Sequence, residues 1–224
     1  MRRIVIGVLV VGLMSVLGGC NPNITEILYN NVSEYCEDYF VGETQDYYIE
    51  LFDGEREEPY YLDGVSEIKQ GYTLLVVTPK KSRNNMEELE YCVELNGDTV
   101  EGGLESSPFD DTMSSEVNME ISADDVIFVY IKMQSSTQVS KMQCVSVDFV
   151  KNWNGVLCDV YQNSMQDIGI LMEAHKSVEC YVQIINKSMQ TDLYYWCVTL
   201  IFDNGDRYTW IVDTKTNEIL AKNL

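Results

Sequence analysis

The stretch LYYWCVTLIFDNGDRYTWIVD, residues 193–213, reads as two apolar strands around one turn. Asn204-Gly205 is the strongest local signal in the chain. Both residues tolerate positive φ, which predicts a two-residue type I′ hairpin. That register sets Ile201 opposite Tyr208, Thr199 opposite Trp210 and Cys197 opposite Val212. One face then carries Trp196, Val198, Leu200 and Phe202 beside Ile211, and the other is apolar too. A half-exposed antiparallel sheet does not tolerate two apolar faces. One face is therefore expected to pack on a helix and the other on a second domain. A residual aromatic rim of Tyr194, Tyr208 and Trp210 is the candidate partner-binding surface.

The helix for that packing lies just upstream. Trp153, Val156, Leu157, Val160 and Tyr161, then Ile168, Leu171, Met172 and His175, recur at helical spacing. Gly155, Gly169 and a capping signal at Ser164/Asp167 divide the stripe into two pieces. With the strands VECYVQII (178–185) and NEIL (217–220), residues 151–224 read as a helix-on-antiparallel-sheet module. Between residues 46 and 150 the period is two. YYIELF, YTLLVVTP, ELEYCVEL, EVNMEIS, DVIFVYIKM and KMQCVSVDFV are strand candidates. Asn96-Gly97 marks a second hairpin. Val117, Met119 and Ile121 alternate inward, and VIFVYI (126–131) reads as a central strand. This region is expected to form an antiparallel β-sandwich, loosely immunoglobulin-like, with GGLESSPFDDTMSS (102–115) as an exposed loop. Residues 21–42 read as one helix: Ile24, Ile27, Leu28, Val32, Tyr35, Cys36 and Tyr39 share a face, with Asn23/Glu26 as capping box and Gly42 as stop. The fold class is α+β.

The chain opens with Arg2 and Arg3, an uncharged apolar run from Ile4 to Leu17, and Leu17-Gly18-Gly19-Cys20. The run is too short to span a bilayer and suits the core of a secretory signal. Its ending resembles the lipobox of bacterial lipoproteins. The resemblance implies cleavage of residues 1–19, a lipid on the Cys20 thiol, and a protein held on the extracytoplasmic side of a cell membrane. Residues 20–45 would then be the lipidated cysteine and first helix, so that the body sits close to the membrane.

With 36 acidic residues against 15 basic ones, the formal charge is −21, and loss of Arg2 and Arg3 deepens it by two. That charge disfavours nucleic acid and anionic lipid and favours cationic partners. The other cysteines, Cys36, Cys92, Cys144, Cys158, Cys180 and Cys197, are even in number, which in an exported chain points to disulfides. Free thiols in a reducing habitat are the alternative. Cys36 is expected to pair with Cys92, across a sheet face that a covering helix would need, and the other four among themselves.

Residues 164–220 resemble the PepSY module of exported bacterial proteins. The match is VTLIFDNGDRYTWIVDTKTNEIL (198–220), where Asp213-Thr214-Lys215-Thr216-Asn217-Glu218-Ile219-Leu220 stands for that family's Asp-x-x-Thr-Gly-Glu-Val/Ile-Leu ending. Asn217 replaces the usual glycine but also tolerates a left-handed backbone. The resemblance implies a non-catalytic unit that binds or restrains peptidases or mediates surface interactions. A cystatin-like helix-on-sheet module is the alternative.

No catalytic, metal or cofactor site is read from the sequence. Ser66-Glu67-Ile68-Lys69 matches Ser-x-x-Lys and Lys215-Thr216 echoes Lys-Thr-Gly, but no Ser-Asp-Asn lies between them. His175, the lone histidine, continues an apolar stripe and suits a helix C-terminus better than a general base. Asp110-Asp111 and Asp124-Asp125 lack the alternating ligands of a calcium loop. The expected function is a surface-anchored, non-catalytic module with a protein or peptide partner; the alternative is an extracytoplasmic hydrolase using paired carboxylates. A deep cleft holding ordered acids would favour the second, and a shallow aromatic or sheet-edge surface the first.

Overall fold

The structure is a computed structural model and describes residues 22–57, 68–81, 88–186 and 193–223. Cys20, the signal-like segment and Ser66 lie outside the described residues. Helix α1 (Pro22–Asn30) ends where Asn31 donates its backbone N–H to Leu28 O and its side-chain amide to Ile27 O. The expected helix over 21–42 therefore stops early, and Val32–Glu43 is strand β1. Two irregularities in β1, between Val32 and Glu34 and between Cys36 and Asp38, shift its alternation. They put three- and four-residue gaps between its buried side chains, which imitates helical spacing.

The remaining strands are β2 (Tyr47–Glu57), β3 (Lys69–Pro79), β4 (Glu90–Leu95), β5 (Asp98–Gly103), β6 (Glu105–Ser106), β7 (Met113–Glu116), β8 (Ile127–Lys132), β9 (Thr137–Lys141) and β10 (Gln143–Cys144). After helices α2 (Trp153–Asn163) and α3 (Met165–Ala174) come β11 (Val178–Ile185), β12 (Tyr195–Phe202), β13 (Arg207–Asp213) and β14 (Ile219–Asn223). Ten strands form one sheet in the order β14-β13-β12-β11-β1-β2-β3-β7-β6, with β10 also on β1; β5-β4-β8-β9 form a second. The β1–β11 pair is parallel and the other pairs are antiparallel.

The chain is α+β, with strands dominating. An immunoglobulin-type sandwich places its second and third strands in different sheets. Here β1, β2 and β3 are consecutive neighbours in one, and that sheet continues across residue 150 into β11–β14.

Two apolar cores flank β1. Leu28, Val156, Val160, Tyr161 and Ile168 pack with Val182, Trp196, Val198, Leu200, Trp210 and Val212. Phe40, Ile49, Leu51, Leu75 and Val77 pack with Tyr91, Val93, Ile127, Val129 and Ile131 of the smaller sheet. Tyr35 pairs in register with Val182 and with Glu55, and its ring stacks on Trp153 of α2 at 4.2 Å. Glu55 lies an even step along β2 from Leu51, which faces the smaller sheet. Further along the strand the two cores alternate: Tyr39 and its partner Phe52 belong to the first, Phe40 and its partner Leu51 to the second.

The Asn96-Gly97 hairpin forms as predicted, with φ of 52° and 95° and Leu95 opposite Asp98. The C-terminal hairpin differs from its predicted register by one residue. Leu200 pairs with Tyr208, Val198 with Trp210 and Cys197 with Ile211. Its loop holds three residues, closed by Phe202 N–H to Asp206 O at 3.0 Å, with Gly205 at φ 85°. Asp203 is drawn into the loop because its carboxylate binds His175 Nδ1 and the Lys176 N–H. Asn204 Oδ1 accepts from Asp206 N–H, which sets the rest of the turn. A one-residue slip reverses every side chain, and here it carries Trp210 onto the helix-covered face.

Cys36, Cys92, Cys144, Cys158, Cys180 and Cys197 are all free thiols, so none of the expected disulfides forms. Cys36 belongs to β1 in the long sheet rather than to a helix covering β4. Cys92 points away from the core beside Glu101 and Lys132. Burial pushes the Cys180 thiol up to about 12 and raises Cys36 further, which keeps both protonated and unreactive.

Candidate functional site: an acid-lined groove over β1, β2 and β3

The groove begins at the irregularity in β1. Glu37 is an extra residue there, so Cys36 pairs with Gly54 and Asp38 with Asp53. Gly54 lets the strands close: a Cβ on it would lie 2.0 Å from Tyr35 O and 3.0 Å from Cys36 Cα. In β3, Thr73 pins the segment that follows β7. Its carbonyl accepts from Val117 N–H at 2.8 Å, and its hydroxyl is shared between Met119 O at 2.7 Å and Asp53 Oδ1 at 2.9 Å. Residues 117–121 form no strand, against expectation, although Val117 and Ile121 are buried as predicted.

The result is a groove of about 690 Å³, within the range of ligand sites. Glu37, Asp53, Glu55, Glu116 and Glu120 line it with Tyr72, Thr73 and Asn118, and none of its described lining residues is Lys or Arg. At its margin Arg56 pairs with Glu116 and lies over the Tyr72 ring. Burial, then the charges of Asp38, Glu37 and Glu120, lift the Asp53 carboxyl to about 6 against the Thr73 hydrogen bond. Glu37 is also raised, by desolvation and by Glu55 and Asp38. A smaller cavity of about 270 Å³ adjoins through Glu37, bounded by Asp38, Ser146, Phe149, Lys151 and Trp196.

These shifts fix the sign of a pH dependence. Folded Asp53 holds its proton up to about pH 6 while the unfolded side chain releases it near 3.8. Stability from this group is therefore highest below that window and falls as pH rises through it. Asp53→Asn is expected to flatten the slope between about pH 4 and 6. It should stabilise the chain at pH 7 by about 1–2 kcal/mol, allowing for solvent screening. Urea unfolding at pH 4.5 and 7 checks it; an unchanged slope would remove Asp53 from the acid cluster.

The site residues expected from the sequence lie elsewhere. Trp210 is fully buried, and its indole N–H donates to Ser164 Oγ at 2.9 Å, at the break between α2 and α3. Tyr194 is buried against Tyr39 and Phe149. Tyr208 is partly buried edge-on to Phe202. Trp210 and Tyr194 are thus core residues, Trp210 through the slip of register, while Tyr208 stays partly exposed at its edge. His175 caps α3, hydrogen-bonded to Asp203 and packed on Phe202. Asn217 has φ 61°, as its place in the Asp213 turn requires. Among the described residues no three His, Cys, Asp or Glu side chains converge to hold a metal.

The groove acids had a signal in the sequence. In YYIELFDGERE, Asp53 and Glu55 continue the parity of Ile49 and Leu51, and charges on a core-facing parity mark a place where the covering layer opens. Compared with family models, curated proteins and solved structures, the chain matches none.

Proposed function

We propose that this protein is a lipid-anchored, extracytoplasmic binding module whose groove receives a basic segment of a partner protein. One observation carries the reading: a groove of about 690 Å³ with five carboxylates and, among its described lining residues, no Lys or Arg. A peptide with Lys or Arg would supply further countercharge and offset the burial and carboxylate repulsion that raise Asp53 and Glu37. Anchorage rests on the apolar run and Leu17-Gly18-Gly19-Cys20. Metabolic lipid labelling is expected to vanish in Cys20→Ser. The non-catalytic, PepSY-like character rests on the Asp213–Leu220 motif, whose Asp213 carboxylate accepts from the Lys215 and Thr216 N–H groups.

The test is fluorescence anisotropy of a labelled Lys/Arg-rich hexapeptide with the purified chain, against its Glu-rich counterpart. Binding should be confined to the basic peptide, weaken about tenfold or more in Asp53→Asn/Glu55→Gln, and weaken with salt. Equal affinity for both peptides would end the proposal.

The raised Asp53 supports a second reading, a hydrolase in which Asp53 is the general acid and a neighbouring ionised Glu the partner carboxylate. Cleavage of an oligosaccharide panel, lost in Asp53→Asn, would favour that reading; intact saccharides beside peptide binding would favour the module.

A further inference from the structure

The smaller cavity meets the groove at Glu37, and two features of its wall are left unanswered by the chain itself. Trp196 is 1% exposed, and its indole N–H is buried with no hydrogen-bond partner. Buried N–H donors are nearly always satisfied, and the Trp196 side chain that carries this one lines the cavity. Opposite in character is Glu37, whose charged neighbours are Glu55 and Asp38, both acidic. Asp38 accepts from Ser146 Oγ at 2.8 Å, which holds its carboxylate in place. Lys151 is engaged with Asp159 at 2.5 Å and does not serve as their countercharge. Phe149, edge-on to Trp196 at 5.6 Å, adds an apolar wall. The cavity thus offers a donor, carboxylates and an aromatic side within about 270 Å³.

We propose that this cavity receives the amino terminus of the partner polypeptide. Its α-ammonium lies between Glu37 and Asp38, its first peptide carbonyl accepts from Trp196 Nε1, and its first side chain rests on Phe149. From there the chain passes Glu37 into the larger groove, where the basic side chains bind. An internal lysine would answer the carboxylates alone; a chain terminus brings ammonium and carbonyl together. The inference rests on the groove binding a basic segment.

The experiment compares two C-terminally labelled peptides, Ala-Val-Lys-Arg-Lys-Gly with a free α-amine and the same peptide N-acetylated, on the purified chain. Acetylation should raise Kd about tenfold or more on the wild type. It should change Kd little on Glu37→Gln, and less than on the wild type on Trp196→Phe. Equal Kd values on the wild type, with binding still weakened by Asp53→Asn, would overturn this inference and leave the groove reading intact. Binding of neither peptide would overturn both. Should Trp196→Phe fail to fold, the acetylation pair and Glu37→Gln decide the matter alone.

Discussion

Trp210→Ala is expected to cost about 3–5 kcal/mol of stability, one of the two largest effects of any substitution considered. The indole is fully buried among Val198, Leu200 and the α2–α3 side chains. Truncation leaves a cavity at the break between α2 and α3, and it strips Ser164 of the indole donor. Ser164 caps neither helix through its side chain, so that hydrogen bond fixes the break against the sheet. Trp210→Phe should lie between, keeping most of the volume and losing the bond. Urea unfolding monitored by circular dichroism reads both. A loss below about 1 kcal/mol for alanine would place Trp210 at the surface and restore the aromatic rim as a binding candidate.

Gly54→Ala should be at least as damaging, for a different reason. The added methyl would meet the Tyr35 carbonyl oxygen at 2.0 Å and the Cys36 Cα at 3.0 Å. Both are backbone of the central strand, so relief requires breaking the β1–β2 ladder at the irregularity that positions Glu37. Overpacking against movable side chains costs about 1–3 kcal/mol; against fixed backbone the expected cost is above about 3 kcal/mol, or failure to accumulate as soluble protein. Gly103→Ala, at a glycine with nothing within 4 Å of its would-be Cβ, should stay within about 0.5 kcal/mol of the wild type. Comparable behaviour of the two variants would mean that β1 and β2 do not approach as closely as described.

The sequence made the regular elements legible and hid the irregular ones. The strand pairs around Asn96-Gly97, the two helices split near Ser164 and the run of C-terminal strands all follow from period and turn chemistry. The Asn204-Gly205 turn was also visible, but its loop length was not. Asp203 joined the loop through a long-range bond to His175, which no local propensity carries. β1 reads as a helix because its irregularities scatter Val32, Tyr35, Cys36 and Tyr39 at helical intervals. The groove is hidden in the sequence for the same reason. Its acids come from β1, β2, β7 and the segment after it, and only the pairing of Asp38 with Asp53 and the Thr73 bonds to residues 117 and 119 show that they converge. Thirty-six acids offer many pairs in sequence, and strand parity selects among them.

The most direct test of the groove is a titration of the isotope-labelled chain with the free-amine basic peptide, read by amide chemical shifts. Shifts concentrated at Glu37, Gly54, Gly71, Tyr72, Thr73 and Asn118, fading as salt is raised, are the predicted result. Shifts centred on β12, β13 and the Asn204-Gly205 turn, with the groove amides unmoved, would contradict the account.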